Sequence, residues 1–408
     1  MYEHIVVVGA SLAGLQAAQG LRRGGYEGTL TIVGDEPDYP YDRPPLSKGF
    51  LDGRVPEEKL RLRGAADPEA LGVDWRLGVA AMSLELASSD GGAHTIGLSD
   101  GSTLVADGIV IATGSSPRRL DGFDLPGVFE LRTLADARGL HDALAAGPKR
   151  VVVVGAGFIG AEVASTARGL GLEVTLIEAA PMPLARVLDH GAGEAIADLH
   201  RGHGVDVRLG TGVASLQAGD NGAVASVTLA DGEVIETDLV VVGVGCVPNT
   251  AWLEGSGLTI DNGVVCDETC LAAPGIVAAG DVARWPNPRF GGTLTRVEQW
   301  DNAVEQGTYV ARRLLALDQG DDVEPYAPTP WFWSDQYDRK IQLAGIPTPN
   351  AEVVNGSIEE QVFLQIYADD NGSFVGALGW NRPRQAIQAR MLLGQGASLD
   401  EARTALSD

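Results

Sequence analysis

The sequence predicts an α/β protein of two related βαβ domains, the second inserted into the first, followed by an α+β tail. Three observations predict it. The stretch IVVVGASLAGLQAA at residues 5–18 returns as VVVVGAGFIGAEVA at 151–164, each a run of β-forming residues, a glycine turn and a helix start of small residues. A second pair, DGSTLVADGIVIATGSSPR at 100–118 and DGEVIETDLVVVGVGCVPN at 231–249, follows in the same order. Each reads as a hairpin turn, a polar strand and a buried strand closed by small residues. Composition then shifts at Pro325, where PYAPTPWFWSDQY gives way to alternating strands such as QVFLQIYA and SFVGALGW.

At 408 residues the chain exceeds one ordinary core. Its net charge of −25 argues against nucleic acid or an anionic membrane as partner. No apolar run approaches the ~18 residues of a membrane span. Met1-Tyr2-Glu3-His4 enters a strand at once with no basic region or cleavage site, so no secretion signal is expected. Cys246, Cys266 and Cys270 are odd in number and badly spaced for a disulfide scaffold, which suits a reducing cytoplasm. No metal site is expected, either from Cys266 with Cys270 or from Asp198, His200 and His203, which read as solvated side chains.

In chain order, Gly9-Ala10-Ser11-Leu12-Ala13-Gly14 is the first glycine fingerprint, with Ser11 where a second glycine is usual. Asp35 and Glu36 follow the next strand, TLTIVG, where a carboxylate can accept from a ribose. The segment YPYDRPPLSKGFL (39–51) carries Arg43, Pro44, Pro45 and Lys48. It reads either as a rigid wall with two cations turned inward or as a surface loop with two solvated cations. Ala112-Thr113-Gly114 ends the first closing strand. Thr133 is a candidate N-cap.

The second fingerprint, Gly155-Ala156-Gly157-Phe158-Ile159-Gly160, is complete, and Glu178 closes its next strand. Its glycines allow a tight turn and close approach of a pyrophosphate to a helix N-terminus. Glu178 and the neutral Ala179-Ala180 favour NADH over NADPH, with Arg186 too far along the chain to receive a 2′-phosphate. Gly243-Val244-Gly245 ends the second closing strand, and Gly280-Asp281 ends a further short one. Ser398 to Glu401 is a capping box for a last helix. The expected domains are 1–116 with 247–324, 117–246, and 325–408.

Both fingerprints, RPPLSK, LRT, IATG, GD and PWFWSDQY together resemble the FAD-dependent pyridine-nucleotide reductases that feed 2Fe–2S ferredoxins of bacterial oxygenases. These are the putidaredoxin reductase and biphenyl-dioxygenase reductase type, of glutathione-reductase-like fold. The resemblance spans the chain. It implies that Gly9, Ser11, Leu12, Ala13, Gly14, Asp35 and Glu36 hold the ADP half of FAD. Arg43, Pro44, Lys48, Ala81, Arg132 and Ala112 to Gly114 would line the flavin and its phosphates. Gly280 and Asp281 would meet the ribityl chain, with Glu298, Gln299 and Trp300 beside the ring. Gly155, Gly157, Phe158, Ile159, Gly160, Glu162, Glu178 and Gly243 to Gly245 would bind NADH. Lys48 and Glu162, two unlike charges flanking one site, would be the catalytic pair.

The implied activity is hydride transfer from NADH to FAD, then single electrons to a 2Fe–2S ferredoxin. That ferredoxin would serve a cytochrome-type monooxygenase or a ring-hydroxylating dioxygenase. A cytoplasmic monomer or weak homodimer is expected. Arg61, Arg63, Arg284, Arg289, Arg382 and Arg384 are candidates for meeting an acidic partner. The rivals are a rubredoxin reductase, an NADH oxidase, and a flavin-based redox sensor resembling apoptosis-inducing factor. A thiol relay is excluded, because all three cysteines fall after residue 245.

Overall fold

A computed structural model describes residues 2–63, 69–87, 92–185 and 187–407. Among these the α-helices are α1 (Leu12–Arg23), α2 (Leu134–Ala145), α3 (Phe158–Gly169), α4 (His190–Gly202), α5 (Trp300–Gln319), α6 (Pro383–Gln395) and α7 (Leu399–Leu406). The chain divides into two compact units. The first is Met1–Asp42, Glu58–Ser116 and Val247–Pro328; the second is Arg43–Glu57, Pro117–Cys246 and Thr329–Asp408.

The first unit is built on a six-stranded sheet in the order Leu271–Ala273, Ile276–Ala278, Gly108–Ile111, His4–Val8, Thr29–Gly34 and Asp74–Leu77. All of its pairings are parallel except that of Leu271–Ala273. Ile5, Val6 and Val7 are wholly buried, as expected of a parallel strand covered on both faces. A three-stranded antiparallel sheet, Ala81–Glu85, His94–Leu98 and Thr103–Ala106, joins it. Gly20 permits α1 to lie close on α5, since a Cβ there would meet Ala311 Cβ at 2.7 Å. Tyr326 is also packed in this core, and Trp285 Nε1 donates to its carbonyl at 3.1 Å. The first unit therefore extends to Pro328, past the expected boundary at 324.

In the second unit the same plan recurs. Its parallel sheet runs Asp206–Leu209, Glu173–Glu178, Arg150–Val154, Leu239–Val242 and Val128–Phe129. Its antiparallel companion is Val213–Ala218, Val224–Leu229 and Val234–Glu236. Thr133 caps α2 in a full capping box with Asp136. The tail adds a five-stranded antiparallel sheet, Trp331–Gln336, Arg339–Gly345, Phe374–Trp380, Val362–Ala368 and Asn350–Ser357. Against it lie α6 and α7, the latter capped by Ser398 and Glu401. Leu188, Ile196 and Leu199, in and before α4, pack with Phe363 and Trp380 of the tail sheet.

Residues 43–57, expected in the first domain, belong to the second unit. The bonds that hold them are local. Thr166 Oγ1 on α3 donates to Ser47 O at 2.8 Å. Arg138 on α2 donates to both carboxylate oxygens of Glu57, at 2.9 and 2.7 Å. His141 Nδ1 lies 3.0 Å from Leu51 O.

Candidate functional site

In the first unit the fingerprint turn is fixed by backbone crowding. Gly9 has φ +122, and a Cβ there would lie 2.0 Å from Ala112 O, at the end of the closing strand. A Cβ on Gly14 would lie 1.9 Å from Gly9 O. Only glycine fits either place. Ser11 is the N-cap of α1 with extended backbone, and its side chain makes no cap bond to the helix. Leu12 and Ala13 are buried, and α1 opens directly out of the turn, the arrangement that places a helix N-terminus at an anion site.

Asp35 is exposed beyond the strand end, and its Oδ1 accepts from Glu36 N at 3.1 Å. The Glu36 carboxylate accepts a hydrogen bond from the Tyr41 hydroxyl. Thr113 Oγ1 donates to Asn249 O at 2.8 Å, and Asn249 Nδ2 returns a bond to Thr113 O at 2.8 Å, fixing the Ala112 to Gly114 turn. Gly280, at φ +76, donates its N–H to Gln306 Oε1 at 2.8 Å. Asp281 Oδ2 accepts from Ser115 Oγ at 2.9 Å, and its carbonyl accepts from Arg296 Nη1 at 3.0 Å. Glu298 is exposed and paired with that same Arg296 at 2.5 Å. Trp300 opens α5 and donates Nε1 to Asp42 Oδ1 at 2.7 Å. Ala81 starts its strand half-buried.

These features fit a flavin dinucleotide. The glycine turn is a cradle that a Cβ would fill. Gln299, the N-cap of α5, has a buried Oε1 with no hydrogen-bond partner among the described residues. A ring imide N–H would satisfy such an orphaned acceptor.

The second unit holds the matching cradle. Gly155 has φ +99, with Gly243 O 2.3 Å from its would-be Cβ, and a Cβ on Gly160 would lie 2.0 Å from Gly155 O. At Gly157, the N-cap of α3, a Cβ would meet nothing nearer than Gly243 O at 3.9 Å. The space beside that residue is left open by the protein, as a pyrophosphate needs. Glu178 Oε2 accepts from Ala156 N at 2.7 Å and Oε1 from Ala180 N at 2.9 Å. The acid thus braces the turn it was expected to accompany. Phe158 packs on Phe332 with ring centroids 3.8 Å apart, while Ile159 is 43% exposed. Val244 is half-buried and Gly245 exposed. Arg186 lies outside the described residues.

On α3, Glu162 is buried, and it meets the lysine of the RPPLSK segment. Its Oε2 pairs with Lys48 Nζ at 2.6 Å and accepts from Ser47 Oγ at 2.5 Å; its Oε1 accepts from Ser334 Oγ at 2.7 Å. Lys48 Nζ also donates to Pro44 O at 3.1 Å. Arg43 Nη1 donates to Arg132 O at 2.5 Å. Between the two readings left open for this segment, Lys48 is not a solvated surface cation. The sequence reading had Lys48 and Glu162 but missed Ser47, Ser334 and Gln336. The i, i+2 spacing of Ser334 and Gln336 in WFWSDQY, which puts both on one strand face, was the available signal.

One reading is corrected. His200 is wholly buried, not solvated. Burial lowers its pKa to about 4, and Tyr337 covers it while stacking on His203 with ring centroids 3.7 Å apart. Asp198 and His203 are exposed as expected. The cysteines are free; burial pushes the Cys266 thiol up to about 12 and the Cys270 thiol well above its usual value. Neither supplies the thiolate that thiol chemistry needs. Of the six candidate docking arginines, Arg284 pairs with Asp261, Arg289 Nε donates to Ala327 O, and Arg61 lies over the Tyr39 ring.

Comparison with known proteins adds the following. The family model for pyridine nucleotide-disulphide oxidoreductases matches residues 3–307, and a reductase C-terminal model matches residues 331–408. The chain is 39% identical to rhodocoxin reductase of Rhodococcus erythropolis, covering 99% of this chain and 92% of that protein. It is 37% identical to the ferredoxin–NAD(+) reductase component of the p-cumate 2,3-dioxygenase system of Pseudomonas putida, over 98% of this chain and 96% of that one. The crystal structure of a covalent putidaredoxin reductase–putidaredoxin complex matches with TM-score 0.90 and 33% identity, over 100% of this chain and 96% of that one.

Proposed function

Because the chain belongs to the pyridine nucleotide-disulphide oxidoreductase family, we propose that it is an FAD-containing, NADH-dependent ferredoxin reductase of an oxygenase system. What carries the reading is one combination: two glycine cradles and a reductase C-terminal tail in a chain whose three cysteines all follow residue 245. The family name includes a disulphide, but the cysteines of this chain are free, and burial holds the Cys266 and Cys270 thiols protonated. Relatives whose names give ferredoxin–NAD(+) reduction in dioxygenase systems support the partner class.

FAD, when bound, supplies the step between a two-electron donor and a one-electron acceptor. The chain's own residues bind, orient and set charge. The first fingerprint, Asp35, the Ala112 to Gly114 turn, Asp281 and Gln299 are assigned to FAD. The second fingerprint and Glu178 are assigned to NADH. Hydride transfer asks mainly for proximity and orientation, so no general acid or base is required. Lys48 is assigned to the flavin as a fixed positive charge that favours its reduced, anionic form, and Glu162 as the group that fixes Lys48.

The finer parts of this reading are a 2Fe–2S partner, a cytoplasmic monomer or weak homodimer, and three domains, 1–116 with 247–324, 117–246 and 325–408. The full-length similarity and the free cysteines support them, and no helix among the described residues is long and apolar enough to cross a membrane. The test is NADH-dependent cytochrome c reduction with added ferredoxins. Purified protein should be yellow, and turnover should depend on a 2Fe–2S ferredoxin. A chain that binds no flavin after added FAD overturns the assignment. Ferredoxin-independent oxygen consumption makes it an oxidase, and slow turnover with a long-lived NADH complex makes it a sensor.

A further inference from the structure

A line of buried polar side chains in the second unit ends on Glu162. Ser334, Gln336 and His200 are each 0% exposed, an arrangement that costs stability unless every group is satisfied. Each satisfies the next. The Tyr337 hydroxyl lies 2.9 Å from His200 Nδ1, and His200 Nε2 lies 3.1 Å from Gln336 Oε1. Gln336 Nε2 donates to Ser334 Oγ at 3.1 Å, and Ser334 Oγ donates to Glu162 Oε1 at 2.7 Å.

Chemistry fixes the direction of this chain. Burial keeps the Tyr337 phenol protonated and His200 neutral. The phenol O–H then donates to Nδ1, which leaves the imidazole proton on Nε2, facing Gln336. Every N–H and O–H in the line points toward the carboxylate. The same carboxylate also accepts from Ser47 Oγ and pairs with the Lys48 ammonium.

We propose that Ser334, Gln336, His200 and Tyr337 are positioning residues whose one-way chain fixes Glu162, and through it the Lys48 ammonium, thereby setting the flavin's reduction potential. This rests on the assignment of Lys48 to the flavin given above. The sign follows from the dipoles. Removing a donor from Glu162 leaves its negative charge less compensated and draws Lys48 further toward it. The potential near the flavin becomes more negative, and the reduced anion is less favoured.

The test is the midpoint potential of the bound flavin, by spectroelectrochemistry, in Lys48→Ala, Ser334→Ala, Gln336→Leu and the double variant Lys48→Ala with Ser334→Ala. Flavin content and melting temperature establish that each variant is folded. Lys48→Ala should lower the potential. Ser334→Ala and Gln336→Leu should lower it by less, and Ser334→Ala should add little once Lys48 is gone. If Lys48→Ala shifts the potential while both chain variants match wild type, the relay is overturned and the Lys48 assignment stands. An equal Ser334→Ala shift with and without Lys48 also overturns it, because the effect would not pass through the ammonium. No shift in Lys48→Ala overturns both.

Discussion

The two fingerprint turns agree where they touch their own backbone and differ where they face outward. Gly9 and Gly155 both have positive φ and both are pressed by the carbonyl ending a closing strand, Ala112 O and Gly243 O. Gly14 and Gly160 each sit on the carbonyl of the first glycine, at 1.9 and 2.0 Å from a would-be Cβ. The second turn has Gly157 where the first has Ser11, each the N-cap of its helix. The acids differ as well. Val8 pairs with Val33 and Val154 with Ile177, so Gly34 stands at the strand position of Glu178. At Gly34 a Cβ would meet Ala10 Cβ at 2.4 Å, whereas Glu178 reaches back to Ala156 N. The turn is fixed by internal sterics, and ligand choice is left to the two places where the copies diverge.

The hardest way to break the likeness is at the shared glycines. Gly14→Val should yield protein without flavin, and Gly160→Val a yellow protein that NADH no longer reduces. Overpacking of this severity costs upwards of ~3 kcal/mol, about a hundredfold in binding. Visible absorption and stopped-flow reduction separate the two outcomes; NADH reduction surviving in Gly160→Val would remove the second turn from the NADH site.

Acid should sharpen the contrast between the units. His200 titrates near 4 folded and near 6.5 unfolded, so between those values the unfolded chain binds the extra proton. Stability is then full above about pH 6.5 and falls as pH drops toward 4, by up to ~3 kcal/mol. His94 in the first unit is lowered by burial as well, without so large a shift. Melting temperature should therefore fall less steeply with acid in His200→Gln than in wild type. Parallel curves would mean that His200 is not buried neutral.

Glu178→Ala should cost about tenfold in kcat/KM for NADH, one to two kcal/mol for lost charge-assisted bonds. The preference over NADPH should narrow, and Ala179→Arg should narrow it further. Equal wild-type values for the two cofactors would put the ribose elsewhere. The smallest effect belongs to the N-caps. Ser11→Gly costs the helix only a few tenths of a kcal/mol, so FAD affinity should change less than about threefold. Gly157→Ser should fold normally and raise the KM for NADH slightly, as measured by steady-state kinetics.

The duplication, the two cradles and the caps at Thr133 and Ser398 were legible in the sequence because each rests on neighbours in the chain. Three features were not. Residues 43–57 join the second unit through Thr166, Arg138 and His141, partners eighty or more positions away that no local pattern names. His200 lies on a helix end that reads as solvated until Gln336 and Tyr337 cover it. The core of the first unit keeps Tyr326 because Trp285 and Tyr309 hold it, against the proline signal just before it.

The interleaving of the two units bears on how the chain is made. As it leaves the ribosome, the central sheet of the second unit has all its strands by Val242, although its first strand is Val128–Phe129. The sheet begun by His4–Val8 waits for Ile276–Ala278 and for α5. The later-starting domain can thus close earlier, while the first half-sheet stays exposed through more than a hundred residues of synthesis. Such delayed, long-range closure is slow and prone to aggregation. Overexpression should fail at that interval, and slowing translation should raise the soluble yield.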